Sequence, residues 1–147
     1  MSALISIDPD TKHYGWALFR GVQLSACGIG QIVDGWRPNS ALERAPVEWV
    51  CELPERRGQD SRVKVETLIE LALCAGRVVG PNPCTFVKPS RWKGNLKKDT
   101  HHKRMFEELS AAEHEALERG VRRCNKDTIL DVNDAVCLGL WKLGRLV

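Results

Sequence analysis

The sequence predicts an α/β fold: a five-stranded mixed sheet, three antiparallel strands and then two parallel ones, flanked by helices. Three observations predict it. The first third of the chain carries short apolar runs separated by turn residues, the pattern of a strand meander. From Ser61 the apolar spacing changes to that of a helix. A further short apolar run follows that helix, and the order strand, helix, strand gives a sheet covered by helices.

The elements follow in order. Residues 3–7 (ALISI) form a buried strand that stops at Asp8 and Pro9. The segment from Thr11 to Arg20, with Tyr14, Trp16, Leu18 and Phe19, and the segment from Val22 to Ile32 read as strands two and three. A tight turn at Arg20 and Gly21 joins them. Residues 33–46 hold Gly35, Pro38, Asn39 and Pro46 and read as a loop with at most a helical turn. Val47 to Cys51 makes a fourth strand, ending in Glu52, and Pro54 to Asp60 is a charged loop. From Ser61 to Val79, apolar Val65, Leu68, Ile69, Ala72, Leu73 and Gly76 alternate at helical spacing with Arg62, Lys64, Glu66 and Glu70. Pro81 and Pro83 end that helix, and Thr85 to Val87 gives the fifth strand. Thr100 to Leu109 is helical. Ser110 followed by Glu113 is a capping-box pattern that restarts a helix. The last helix runs from about Val132 to Leu143.

The 147 residues fit one domain, residues 1–147, long enough to bury a core. An apolar fraction of 43% and a charged fraction of 28% are ordinary for a globular chain. No apolar run approaches the ~20 residues of a membrane span, and the N-terminus lacks the features of a signal peptide, so a cytoplasmic location and no membrane partner are expected. Six cysteines, at 27, 51, 74, 84, 124 and 137, form no C-x-x-C pair and mostly lie in apolar stretches. They read as free thiols in a reducing compartment.

The net charge of +3 is unevenly spread. From Lys88 to Arg104, seven Lys or Arg stand against one acid, Asp99. Such a stretch in an otherwise balanced domain points to a polyanionic partner. Among its residues Arg91, Trp92, Lys93, Lys97, Lys98, His101, Lys103 and Arg104, together with Arg56 and Arg57, are the candidates to hold that polyanion, which the resemblance drawn below makes DNA. Trp92 is included because Arg91 and Lys93 flank it. His13 and His114 show no partner in the sequence and are taken as surface residues.

Two acids, Asp8 and Glu52, directly follow apolar strands expected to be central neighbours, where side chains leave the core yet rest on rigid backbone. Asp131 and Asp134 open the last helix, and their i, i+3 spacing puts them on one face. Any one of these could be a turn former or a cap; Asp131 in particular could be the N-cap of its helix. Converging carboxylates resist joint ionisation. Divalent magnesium, with manganese able to substitute, resolves that conflict with hard oxygen ligands. Two such ions about 4 Å apart can activate water and stabilise a leaving oxygen.

Ile5-Ser6-Ile7-Asp8-Pro9-Asp10, with Tyr14-Gly15-Trp16-Ala17 after it, resembles the first hairpin of RuvC-type Holliday-junction resolvases. Val50-Cys51-Glu52 resembles the acid closing that family's fourth strand, and Asp131-Val132-Asn133-Asp134-Ala135 its terminal D-x-x-D-A motif. Lys88 to Lys93 and Lys97 to Arg104 are similar to its basic segment near the scissile phosphate. The chain departs from the family in three places. Asp10 stands where Gly is usual. The long helix between strands three and four is missing. Pro54, Glu55, Arg56 and Arg57 replace an aromatic wedge.

The resemblance implies an RNase H-like fold with Asp8, Glu52, Asp131 and Asp134 as catalytic metal ligands for two magnesium ions. A lysine, Lys97 or Lys98, or His101 would support the phosphate. It further implies an endonuclease that cuts four-way junctions from a homodimer and leaves 5′-phosphates. The helix from Ser61 to Val79 is the natural dimer surface, or else packs only on its own sheet. No small-molecule substrate is expected. The alternatives are a nuclease of the same fold cutting RNA–DNA hybrids, flaps or Y-branches, and a non-catalytic junction-binding module. A phosphotransferase of the actin and sugar-kinase type also begins with an acidic hairpin, but needs two domains and Gly-rich phosphate loops that this chain lacks.

Overall fold

A computed structural model describes residues 2–32, 47–55 and 64–146. The loop expected at 33–46, the missing helix assigned there, and Arg56 and Arg57 lie outside the described residues.

Five strands form one sheet in the order β3-β2-β1-β4-β5. β1 (Ala3–Pro9), β2 (His13–Arg20) and β3 (Gln23–Gln31) make the antiparallel meander, and β4 (Val47–Glu52) pairs parallel with β1. β5 (Cys84–Val87) adds parallel to β4 at the edge. The mixed α/β sheet is therefore as expected, with strand bounds moved by a residue or two. The β2–β3 turn centres on Gly21, whose φ of 59° is costly for any residue with a Cβ.

Strand alternation divides the core in two. Ala3, Ile5 and Ile7 of β1 pack with Trp49 and Cys51 of β4 against α1 (Val65–Val79). Leu4 of β1, Ala17 and Phe19 of β2 and Val50 of β4 face the other side, where α5 (Thr128–Lys142) supplies Val132, Ala135, Val136 and Leu140. α2 (Pro89–Trp92), α3 (Lys98–Glu108) and α4 (Ala111–Val121) complete that second layer through Trp92, Met105 and Leu117.

Two helices differ from the sequence pattern. α5 begins a turn earlier than Val132, because Asn125 accepts hydrogen bonds from the backbone N–H groups of Asp127 and Thr128 and so caps it. Asp131 is thus inside the first turn, not the N-cap. On α1, Val65, Ile69 and Leu73 are more than half exposed, while Cys74, Ala75, Val78 and Val79 form the buried face. The expected Ser110–Glu113 capping box at α4 is present. All six cysteines are free thiols, four of them buried. Among the described residues no helix is long and apolar enough to cross a membrane.

Candidate functional site

Alternation and register together build an acidic centre. Ser6 faces α5, where its hydroxyl donates to the Ala135 carbonyl, so Asp8, two residues on, faces the same way. Ile7 pairs with Cys51 across the parallel ladder, and one step further brings Asp8 level with Glu52. Asp8 also pairs with Gly15 of β2. A Cβ on Gly15 would overlap the Asp131 carbonyl. Its absence lets α5 approach the sheet closely enough to deliver Asp131 and Asp134.

Asp8 is only 6% exposed. Its carboxyl is pushed well above the usual range by burial first, then by the charges of Glu52 and Asp134, against the opposing pull of Lys93. Asp134, 4% exposed, goes the other way. Burial would raise it, but His102 Nε2 at 2.8 Å, Lys98 Nζ at 3.1 Å and Lys93 Nζ at 3.7 Å hold it charged and below the usual range. Lys93 Nζ also lies 2.9 Å from Glu52 Oε2. Burial would lower the Lys93 ammonium, yet Glu52, Asp134 and Asp8 raise it overall. Lys93 is therefore a fixed internal cation joining the strand-end acid to the helix acid.

Asp131 completes the group from the side of the first hairpin. Its carboxylate lies 2.8 Å from His13 Nε2, which is 3.3 Å from Asp10 Oδ2. Asp10, His13 and Asp131 each offer a ligand atom within 4.8 Å of the others. Burial raises the Asp131 carboxyl, partly offset by the hydrogen bond from His13. His13, read as an unpartnered surface residue, is thus a member of the site.

The basic stretch divides between the site and its surroundings. Lys93 and Lys98 touch the acids, whereas Arg91, Lys97 and Lys103 are exposed around them and Arg104 is half-buried. Trp92 and His101 are corrections to the DNA surface expected from sequence, because both are buried. The Trp92 indole N–H donates to Glu52 Oε2 at 2.9 Å, and the His101 ring packs tilted against the indole at 4.9 Å. The indole therefore holds Glu52, and neither ring lies open to a polyanion. Glu55 fixes the segment from the other end, accepting from the backbone N–H and the hydroxyl of Ser90 in α2.

Four residues of the site went unread as such: Asp10, His13, His102 and, as a direct partner of the acids, Lys93. His13 and His102 meet carboxylates 118 and 32 residues away, so no local pattern marks them. His114, the other histidine read as a surface residue, is half-buried and stacks on Phe106.

No protein-family model matches the sequence, and no curated protein matches it. Among solved structures, Thermus thermophilus RuvC in complex with a Holliday junction substrate is similar over 96% of this chain and 92% of that one. The identity is 12% and the TM-score 0.51. A second structure of Thermus thermophilus RuvC covers 98% of each chain at 13% identity and a TM-score of 0.43. The first likeness establishes the fold: the sheet and its helices have the RNase H-like arrangement of that protein.

Proposed function

We propose that this chain, taken as one RNase H-like domain over residues 1–147, is a metal-dependent endonuclease that resolves four-way DNA junctions. One observation carries the reading. Asp8 and Glu52 stand at the ends of two neighbouring strands and Asp131 and Asp134 in the first turns of one helix, close enough that the charges of Glu52, Asp134 and Asp131 oppose the ionisation of buried Asp8. A structural role gives no reason to concentrate like charge in a buried place, whereas a divalent cation removes the conflict.

The donor set is all carboxylate oxygen at its centre and fits magnesium, with manganese as a substitute. Asp8, Glu52, Asp131 and Asp134 would hold two such ions, which supply an activated water and stabilisation of the leaving oxygen. The chain's own residues do the rest. Trp92 holds one Glu52 oxygen in place, and His102 orients Asp134. His13 fixes the Asp131 carboxylate from the hairpin side. Lys93 and Lys98 carry positive charge to the edge of the site, where they face the scissile phosphate. Arg91, Lys97, Lys103 and Arg104, with Arg56 and Arg57, hold the flanking backbone.

Paired cuts on a junction need two active sites related by a two-fold axis, so the reading includes a homodimer. The exposed stripe of Val65, Ile69 and Leu73 on α1 supports a second copy as its occupant.

The test is magnesium-dependent cleavage of a labelled four-way junction beside linear duplex and RNA–DNA hybrid, with Asp8→Asn as control. Paired symmetric nicks on the junction, absent in the variant, are expected. Cleavage of the hybrid alone would make the chain a ribonuclease of the same fold. Binding with no cleavage in either ion would make it a junction-binding module.

A further inference from the structure

The C-terminal end of α4 carries a basic cluster that the acidic site does not use. Arg119 lies in the last turn, Arg122 is the C-cap residue and Arg123 follows it. They line a cleft of about 600 Å³ whose floor includes Gly28 of β3 and whose far wall is Asn125 and Thr128 at the start of α5. All three arginines are exposed. None pairs with a carboxylate among the described residues, although Glu118 and Asp127 are close in sequence.

A helix C-terminus accounts for one cation, which complements the helix dipole. Three guanidinium groups around one cleft repel each other, and the dipole alone does not explain the second and third. The cluster is also rigidly carried. A Cβ on Gly120 would overlap the Cys27 carbonyl and thiol, so α4 sits directly on β3 beneath the arginines.

Position decides what the cleft is for. Thr128 opens α5, and Asp131 and Asp134 lie three and six residues further on, roughly 4.5 and 9 Å along the helix axis. Along α5 the order is therefore arginine cleft, Asp131 with His13, then Asp134 with Lys98 and Lys93. A DNA strand advances about 3.4 Å of duplex axis per phosphate, so a strand lying over the acids reaches the cleft within two or three phosphates. Planar guanidinium groups suit phosphate oxygens, which they can bind in pairs.

We infer that Arg119, Arg122 and Arg123 form a second backbone-binding site, taking the phosphodiesters that flank the cut on the α5 N-terminal side. Lys98 and its neighbours hold the strand on the other side. The inference rests on the nuclease reading and adds to it a track across the acids with cationic holds at both ends.

The experiment uses the full chain carrying Asp8→Asn, to prevent cleavage, and a labelled four-way junction over a series of salt concentrations. Replacing Arg119, Arg122 and Arg123 by Ala is expected to weaken junction binding about 10- to 100-fold. It should also reduce the slope of log K against log salt by roughly two to three, since each lost phosphate contact is worth about 0.9. Manganese binding, read by electron paramagnetic resonance in the background with Asp8 intact, should be unchanged. A single Arg122→Glu variant with hydroxyl-radical footprinting guards against a folding defect in the triple variant. It should expose two or three backbone positions on one side of the cut. Unchanged slope and footprint in a protein that binds the junction would overturn the inference and leave the nuclease reading intact. Failure of the Asp8→Asn protein to bind any DNA would overturn both.

Discussion

At the residue scale, the strongest polar arrangement outside the site is the one around Glu113. This carboxylate is almost fully buried and accepts from Arg145 through both oxygens, from the backbone N–H of Leu24 at 2.8 Å and from that of Ser110. Arg145 also donates to the Val22 carbonyl and meets Glu108, so the C-terminal segment is tied to the β2–β3 turn and to the end of α3. Burial alone would raise the Glu113 carboxyl, but these donors outweigh it and bring it from 4.5 down to about 2. A group whose folded pKa is depressed contributes stability above its unfolded pKa and loses it as pH falls through the folded value. Stability is therefore expected to decline between about pH 5 and pH 2 with a component that disappears in Glu113→Ala. At neutral pH that variant leaves Arg145 only Glu108 and the Val22 carbonyl and removes its buried bidentate partner, and a loss of about 3 kcal/mol is expected in urea unfolding. Equal midpoints for the two proteins at pH 7 would show that Glu113 holds nothing together.

At the element scale, α1 shows where periodicity informs and where it stops. Its spacing identifies an amphipathic helix and leaves open whether the apolar positions face a second copy or the chain's own sheet; Val65, Ile69 and Leu73 are exposed, while Cys74, Ala75, Val78 and Val79 meet the sheet. One sequence carries both stripes, and only the position of the sheet decides between them. The strand-end acids were legible because a strand leaving the core fixes where its next residue points. α5 starts a turn before its apolar pattern does, since its cap comes from the Asn125 side chain and not from an acid at the helix start. Trp92 and His101 stand among basic neighbours in the sequence, yet both are buried, the indole bonded to Glu52 and the imidazole packed on the indole. The exposed stripe yields an expectation for the proposed dimer. Ile69→Glu with Leu73→Glu removes nothing from the protomer's own core, so Tm should change by little while a dimer at micromolar concentration becomes monomer in sedimentation. A wild-type protein that stays monomeric with junction DNA present would remove the two-fold axis from the reading.

At the scale of the whole molecule, the fold gathers charge that its stability would be better without. Asp8 pairs with Gly15 of β2 one residue past the end of the β1–β4 ladder and is only 6% exposed, so it is held away from solvent beside Glu52 and Asp134. Its carboxyl is raised by burial and by those neighbours. A raised acid contributes stability only at low pH, lost as pH rises through its folded value, so the drive to ionise Asp8 as pH rises works against folding. Lys93 and Lys98 offset part of that repulsion, and bound magnesium would offset the rest, stabilising the folded state through mass action. Two outcomes are expected from thermal unfolding at pH 7. Without divalent ions, Asp8→Asn should melt a few degrees above the wild type, because the amide keeps the shape and removes the charge. With millimolar magnesium, the wild type should gain several degrees and the variant little, so that their order reverses or closes. A variant that melts lower than the wild type without metal would mean that Asp8 is held by favourable contacts rather than strained by its neighbours. The acidic centre would then be a structural ion network, and the case for a catalytic metal site would lose its main physical support.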